Sequence, residues 1–497
     1  MLDEVDRSRD GAALADVLGD WSTGPGPLYR KLATALRRAV DEGALLPGER
    51  LLSERHLSRT LAVSRATVVA AYDELRAGGV LESRRGSGTH VTARARPPVD
   101  DGRVRGGRGT AIFQRLIDGP GPLISLTCAA EGGIPELAEV VQEVARHDLP
   151  DLLAEHGYHP RGLPALRIAI ADYYTAAGLP TCADEVLVTT GAHQALVLVA
   201  DLYIRVRTTV LVESPSWPGC FDVFHAAGAR LSGVPMDDEG IEVRALGAAL
   251  AGQAPSLLCV MPTYHNPTGI LMSPARRRQV AALAARHCVP VVEDNAYTGL
   301  EPLDGVGGVP APVAAYAPEG AEVLTVSSLS KAVWTGLRIG WVRAPGEIVE
   351  RLARRKALAD LGSPLLDQAV AARLMSRVAD LTVRCSASLR ERLDLLERLL
   401  REQLPSWRWR RPDGGSSLWV ELPGADAAVY AQVALRHGVE VVPGAAVDPE
   451  GTHDNYLRMP LTFPPDTLVE LVRRLARAWA ELQRHGPCDD APLHPIV

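Results

Sequence analysis

The sequence predicts an α/β body on a mostly parallel sheet, preceded by a small helical module that closes on a β-hairpin. Three observations carry this. At 497 residues the chain exceeds one ordinary domain, so two or three are expected. From about residue 123, short β-branched runs alternate with helical stretches, the pattern of strands joined by crossover helices. Charge is also divided unevenly. The net is −7, yet residues 28–115 hold 17 Lys+Arg against 9 Asp+Glu, a balance of +8 that leaves −15 elsewhere. A basic module on an acidic body points to an anionic partner for the front end. Charge alone fits a solvated basic face equally well.

Composition narrows the class. Hydrophobic residues at 46% and charged ones at 23% are ordinary globular values. No apolar run reaches the ~18 residues of a membrane span. The start, MLDEVDRSRD, is acidic and lacks an apolar core, so no signal peptide is expected. Seven cysteines (Cys128, Cys182, Cys220, Cys259, Cys288, Cys385, Cys488) are scattered without any C-x-x-C. That predicts a cytoplasmic protein with neither a disulfide framework nor a metal site.

The elements follow in order. Residues 1–22 read as an amphipathic lead-in with a helix over Ala12 to Leu18. In LYRKLATALRRAVDEG, residues 28–43, Leu28, Leu32, Ala35, Leu36 and Ala39 have helical spacing and Gly43 is a stop. Ser53 caps a short helix, SERHLSRTLA, and Ser64 caps the next, VSRATVVAAYDELRAGG. There Val68, Ala71, Tyr72 and Leu75 form the buried stripe. VLESRRGSGTHV makes two short strands around a glycine turn. Three helices and a hairpin form a winged helix-turn-helix, whose second motif helix enters the major groove by its N-terminal end.

Polar residues fall where that task needs them. Ser64, Arg65 and Thr67 occupy the first turn of the recognition helix, within reach of bases or phosphates. Arg55 on the preceding helix suits a backbone contact. In the wing, Arg84 and Arg85 supply charge, while Gly86, Ser87 and Thr89 allow close approach to phosphate. These residues resemble the DNA-binding domain of the GntR family over 28–92, on PGERLLSERHLSRTLAVSRATVVAAYDEL and GVLESRRGSGTHV. The first domain is therefore set at residues 1–92 with its core at 28–92. Residues 93–122, opening with ARARPPVDDGRVRGGRGT, form a linker. The body runs over 123–497.

Strand-like runs in the body are EVLVTTG (185–191), TTVLVES (208–214), PSLLCVMP (255–262), CVPVVEDNAY (288–297), AEVLTVSS (321–328) and IGWVRAP (339–345). Parallel sheets bind ligands at strand C-terminal ends. Gly191-Ala192-His193 lies between a strand and a helix, where free N–H groups suit a phosphate. Asn266 ends a strand in PTYHNPTG. Asp294 and Tyr297 end another. Lys331, flanked by Ser328 and Ser330, ends a third, in a chain that otherwise prefers arginine, and Arg338 follows. Each alone fits a tight turn or a strand-end cap. Together they match one cofactor: N–H groups, hydroxyls and an arginine for a phosphate, a carboxylate for a pyridinium nitrogen, donors for a phenolate oxygen, and a lysine for an aldehyde. That is pyridoxal 5′-phosphate, held as a Schiff base on Lys331.

Over about 123–480 the body resembles the fold-type I aspartate aminotransferases, which are pyridoxal-phosphate-dependent. The resemblance implies that Tyr158, in GYHPRGLPALRIAIADYY, reaches the phosphate of a neighbouring subunit. It implies that Trp217, in ESPSWPGC, stacks on the pyridine ring. Arg458, in NYLRMPLTF, is implied to grip a substrate or effector carboxylate. A winged helix joined to such a body resembles the MocR branch of GntR regulators. That implies a transcription factor that binds operator DNA and answers to a small amino compound or to pyridoxal phosphate itself. It also implies a head-to-tail homodimer. A working aminotransferase with an appended helix-turn-helix remains the alternative.

Overall fold

A computed structural model describes residues 11–22, 26–84, 87–92, 123–129, 132–297, 299–305 and 307–485. The expected linker, residues 93–122, lies outside them.

The front module contains α1 (Gly11–Leu18), α2 (Leu28–Asp41), α3 (Glu54–Thr60) and α4 (Arg65–Ala77). The antiparallel strands β1 (Leu81–Arg84) and β2 (Gly88–Val91) follow. The apolar stripes read from the sequence meet in one core that includes Leu14, Leu18, Leu36, Leu57, Tyr72 and Leu75. Truncating one such leucine costs about 2–5 kcal/mol. Both serine caps form: Ser53 Oγ accepts the His56 N–H at 3.2 Å, and Ser64 Oγ accepts that of Thr67 at 3.1 Å. The buried Tyr72 hydroxyl donates to the Leu52 carbonyl at 2.9 Å, which fixes the turn before α3.

The body opens with β3 (Ile124–Ser125). Its main sheet has β4 (Val186–Thr189), β5 (Thr209–Ser214), β6 (Arg230–Asp237), β7 (Gly240–Ile241), β8 (Leu257–Val260), β9 (Val291–Asn295), β10 (Val323–Ser328) and β11 (Gly340–Arg343). They lie in the order β4-β11-β10-β9-β8-β5-β6-β7. Neighbours from β10 through β9, β8 and β5 to β6 are parallel, while β11 runs antiparallel to both β10 and β4. The interior strands β8, β9 and β10 are buried along their whole length, as a sheet covered on both faces requires. The non-consecutive order places a crossover between β5 and β8, and the C-terminal ends of β8, β9 and β10 point to one side.

A C-terminal subdomain has β12 (Arg408–Trp409), β13 (Ser417–Glu421), β14 (Val439–Glu440), β15 (Val442–Pro443) and β16 (Tyr456–Pro460). Four of these form a sheet in the order β12-β13-β16-β15, while β14 pairs with β3. The helices Ala427–Arg436 and Pro465–His485 cover it. The 26-residue helix Val378–Gln403 joins the two parts. Val378 and Leu381 pack in the core around Trp341, whereas Leu393, Leu396 and Leu400 pack in the core around Trp407. The front module rests on this subdomain. Ala62 packs against its core, and Trp21 Nε1 donates to Gln432 Oε1 at 3.2 Å.

Candidate cofactor site and nucleic-acid interface

The turn after β4 is built for close approach. Gly191 opens the helix Gly191–Tyr203 at φ +81°, and a Cβ there would lie 2.7 Å from the Arg338 guanidinium. Arg338 itself is left-handed, at φ 54°, and its Nη2 donates to the Thr190 carbonyl at 3.1 Å. The Thr190 N–H is taken by Gln194 Oε1 at 2.8 Å, so the turn is held from both sides. Gly340 on β11 backs onto it: a Cβ there would lie 2.5 Å from the Gly191 carbonyl carbon. The structure thus brings Gly191, Ala192, His193 and Arg338 together as a small cationic cradle at a helix start. Burial, and then the Arg338 charge, push the His193 pKa down.

Asp294 lies on β9 and Lys331 just beyond β10, which is its parallel neighbour. Asp294 is 3% exposed, and its Oδ1 has no hydrogen-bond partner among the described residues. Burial pushes its carboxyl up to about 7, against the Ala296 N–H and the Lys331 charge, which both pull it down. A buried carboxylate oxygen with no donor is costly, and a cationic N–H placed against it removes that cost. Asn266, in the turn after β8, also has a buried, unpartnered Oδ1. The Tyr297 hydroxyl lies 3.0 Å from Ser416 Oγ. Ser328 is buried at the end of β10, and its Oγ accepts the Ser330 N–H at 3.4 Å. Lys331 Nζ donates to the Ala129 carbonyl.

A cavity of about 330 Å³ opens beside Lys331, lined also by Tyr297, Ser330, Ser416, Gly133 and Arg384. Ser416 and Arg384 escaped the sequence reading because neither lies at the end of a strand in the main sheet. Trp217 folds over Gly219, where a Cβ would lie 2.2 Å from its ring, and meets the His193 ring edge-on at 6.0 Å. Arg458 on β16 is 3% exposed, and its Nη2 donates to the carbonyls of Leu126 at 2.9 Å and Thr127 at 2.7 Å. Its Nε has no partner. Tyr158 stands apart on the surface, 61% exposed.

On the front module, Arg65 is 69% exposed at the start of α4 and touches Glu54 at 3.3 Å. The Thr67 hydroxyl lies 2.9 Å from that of Ser64, so part of the serine's capacity goes to capping. Arg55 is exposed on α3. Arg84 closes β1, but its guanidinium is held by Glu82 at 2.9 Å, which offsets part of the expected wing charge. Ser87 Oγ lies 3.3 Å from His90 Nε2, and Thr89 pairs with Ser83 across the hairpin. Arg85 and Gly86 lie outside the described residues.

Comparisons with known proteins agree with both halves. Residues 131–475 match the family described as aminotransferase class I and II, and residues 28–91 match bacterial regulatory proteins, gntR family. The uncharacterized HTH-type transcriptional regulator YisV of Bacillus subtilis is 31% identical over 453 residues, 88% of this chain and 92% of that protein. The 2-aminoadipate transaminase of Thermus thermophilus is 33% identical over 359 residues, 70% of this chain and 88% of that protein. The solved LysN, an α-aminoadipate aminotransferase from Thermus thermophilus, superposes with TM-score 0.67 at 30% identity over 77% of this chain and 97% of its own. With one match spanning the body and a second the front module, the chain belongs to the aminotransferase class I and II family, in the two-module arrangement of the MocR-type GntR regulators.

Proposed function

We propose that this chain is a DNA-binding transcriptional regulator whose body holds pyridoxal 5′-phosphate and senses a small amino compound. The carrying observation is the buried Asp294 carboxyl, its Oδ1 without a donor, one strand away from the segment that presents Lys331. A pyridinium N–H would satisfy that oxygen, and the Gly191–Arg338 cradle would hold the phosphate. Asn266 and Tyr297 would hold the ring oxygen, and Lys331 would supply the amine for the aldehyde. When bound, the cofactor supplies an electron sink and a reversible imine linkage.

The remaining steps belong to the protein. Arg458 orients the carboxylate of the amino compound through the donor capacity its carbonyl contacts leave over. Lys331, which lines the cavity, would hold or release a proton at Nζ beside the amino group of that compound. Because Arg458 lies on β16 and Lys331 follows β10, a ligand held by both joins the subdomain to the main sheet. The front module rests on that subdomain, so its orientation follows. This shifts DNA occupancy only if the ligand prefers one arrangement. A homodimer, in the head-to-tail arrangement the resemblance implies, pairs two winged helices on two half-sites.

The likeness to a transaminase favours a second reading, in which the chain turns substrate over. One experiment separates these readings. Full-length protein is used to enrich a duplex from a random library. Its affinity for that duplex is then measured alone, with pyridoxal phosphate, and with pyridoxal phosphate plus each of a panel of amino acids. A response that needs an amino acid supports sensing. A response to the cofactor alone makes the cofactor the signal. Multiple turnovers with a keto acid and no change in DNA affinity would overturn the regulator reading.

A further inference from the structure

We propose that Glu213 and His265 form a neutral acid–imidazole pair that positions Asp294 and the Asn266 turn for a cofactor ring. The inference rests on the cofactor reading above and deepens it. Glu213 lies near the end of β5 and Asp294 near the end of β9, with β8 between them. Glu213 Oε2 accepts the N–H of Met261, the residue that follows β8, at 2.7 Å. Register pairs Val260 with Glu293, so Met261 and Asp294 are the next neighbours along. The chain turns after Met261 and brings His265 back, with its Nε2 3.5 Å from the same Glu213 oxygen.

All three groups are sealed from water: Glu213 is 0%, His265 2% and Asp294 3% exposed. Each keeps one atom without a hydrogen-bond partner among the described residues: Glu213 Oε1, His265 Nε2 and Asp294 Oδ1. The spacing of 3.5 Å fits an ion pair, but the surroundings oppose one. Burial pushes the Glu213 carboxyl up to about 8, with the Asp294 charge adding to the rise. Burial pushes the His265 imidazole down to about 3, against a hydrogen bond to the Pro215 carbonyl. Both are therefore neutral at neutral pH. His265 Nδ1 lies 2.9 Å from Thr268 Oγ1, and in the tautomer that carries its hydrogen on Nδ1, Nε2 is an acceptor. The protonated carboxyl of Glu213 supplies the hydrogen that Nε2 lacks.

The arrangement has a consequence for Asp294. Two carboxylates share this buried region, and the titratable groups that act on them or feel their charge include Lys331, the Tyr297 hydroxyl and the Cys259 thiol. Both acids cannot ionise cheaply there. With the proton held on Glu213 by His265, the negative charge falls to Asp294, where a ring N–H needs it. His265 also directly precedes Asn266, so the same pair steadies the turn carrying the ring-oxygen ligand.

The test uses full-length protein and pyridoxal phosphate, with binding followed by the absorbance of the bound cofactor. Glu213→Gln is neutral and keeps an oxygen that accepts the Met261 N–H, and the same oxygen accepts from His265 once the imidazole carries its hydrogen on Nε2. Its dissociation constant should stay within about twofold of the parent. Glu213→Met keeps the volume but loses both hydrogen bonds, and should bind at least about tenfold more weakly. His265→Gln, which restores an acceptor near the same place, should bind better than His265→Leu. Melting curves verify that each variant is folded. If Gln at 213 binds as poorly as Met, the group acts as a charged carboxylate and the proposal is overturned. Parent-like binding by both 213 variants overturns it too, while leaving the cofactor reading intact. A parent protein that takes up no cofactor overturns the cofactor reading itself, and this inference with it.

Discussion

The indole N–H of Trp21 donates to Gln432 Oε1 at 3.2 Å, joining two residues 411 positions apart. Trp21 is 6% exposed, so its ring belongs to the core of the front module while its edge reaches the helix Ala427–Arg436. That helix belongs to the subdomain that carries Arg458. Under the proposed function, this contact would link a carboxylate held by Arg458 to the winged helix. Trp21→Ala removes a large buried ring, at a cost of about 3–5 kcal/mol to the module. Gln432→Ala removes only the hydrogen bond, worth about 1 kcal/mol. Gln432→Ala is the cleaner probe. It should leave cofactor absorbance and basal DNA binding near parental values and shrink the change in DNA affinity caused by an active amino acid. An undiminished response would place the coupling elsewhere.

Lys331→Ala should abolish covalent retention of pyridoxal phosphate. After borohydride treatment, the parent should carry the cofactor mass on the peptide containing Lys331, and the variant on no peptide. DNA binding without ligand should persist in the variant, because the winged helix has its own core. Cofactor mass found on Lys356 instead would overturn the assignment. That lysine is 0% exposed and paired with Asp360 at 2.8 Å, so the outcome is sharp.

Arg65→Ala should weaken DNA binding by about 1–3 kcal/mol and leave cofactor absorbance unchanged. Among the described residues the exposed guanidinium pairs with Glu54 alone, a surface pair worth well under about 1 kcal/mol, so folding should change little. Salt titrations report the kind of contact. A phosphate contact reduces the salt slope by about one, whereas a base contact relaxes sequence preference. No change in either quantity would remove Arg65 from the interface.

Much of this was legible in the sequence because it is local. The serine caps at Ser53 and Ser64, the stripe through Tyr72 and Leu75, and the strand-end positions of Asp294 and Lys331 all follow from short-range spacing. The strand β6 was not seen. Arg230–Asp237 mixes exposed and half-buried residues and carries Gly233 and Pro235, so it lacks the apolar run of its neighbours. The direction of β11 was hidden too, since a buried strand reads alike whichever way it runs. The partners of Glu213 were out of reach for a different reason. Its 2.7 Å contact with Met261 spans 48 residues, and no periodicity encodes which buried polar groups will meet.

Gly340→Ala should damage, from behind, the Gly191 turn proposed to hold the cofactor phosphate. The added methyl would lie 2.5 Å from the Gly191 carbonyl carbon and 2.7 Å from the Ala192 nitrogen, and backbone atoms cannot swing aside as a side chain can. Either β11 or the Gly191 turn must shift, which misplaces the N–H groups beside Arg338. The expected result is cofactor affinity weakened at least about tenfold, with a loss of about 1–3 kcal/mol in stability. Gly424→Ala is a control for strain alone, since it sits at φ +72° with nothing within 4 Å of the added carbon, and it should leave cofactor affinity unchanged. Equal effects from the two would mean that strain, not the cradle, is being measured.

Acid stability should depend on Asp448. This 0%-exposed carboxylate accepts from Ser214 Oγ at 2.5 Å, the Thr452 hydroxyl at 2.9 Å and the Glu450 N–H at 3.0 Å, and it lies 2.9 Å from His453 Nδ1. It therefore straps the loop before β16 to the end of β5. Burial alone would raise its pKa, but the hydrogen bonds from His453, Ser214 and the loop N–H groups outweigh it, and the carboxyl sits well below the ordinary carboxylate range. A depressed acid stabilises the fold above its unfolded pKa and loses that contribution as pH falls towards the folded value. The strap should thus hold at neutral pH and loosen below about pH 4. Asp448→Asn removes the charge at every pH and leaves an N–H₂ facing donors. It should cost on the order of 2–3 kcal/mol at pH 7, with the difference from the parent narrowing as pH falls below 4. Denaturant unfolding at pH 7 and pH 3.5 measures both. A difference that stays constant between the two would mean that the carboxylate charge does not hold the loop.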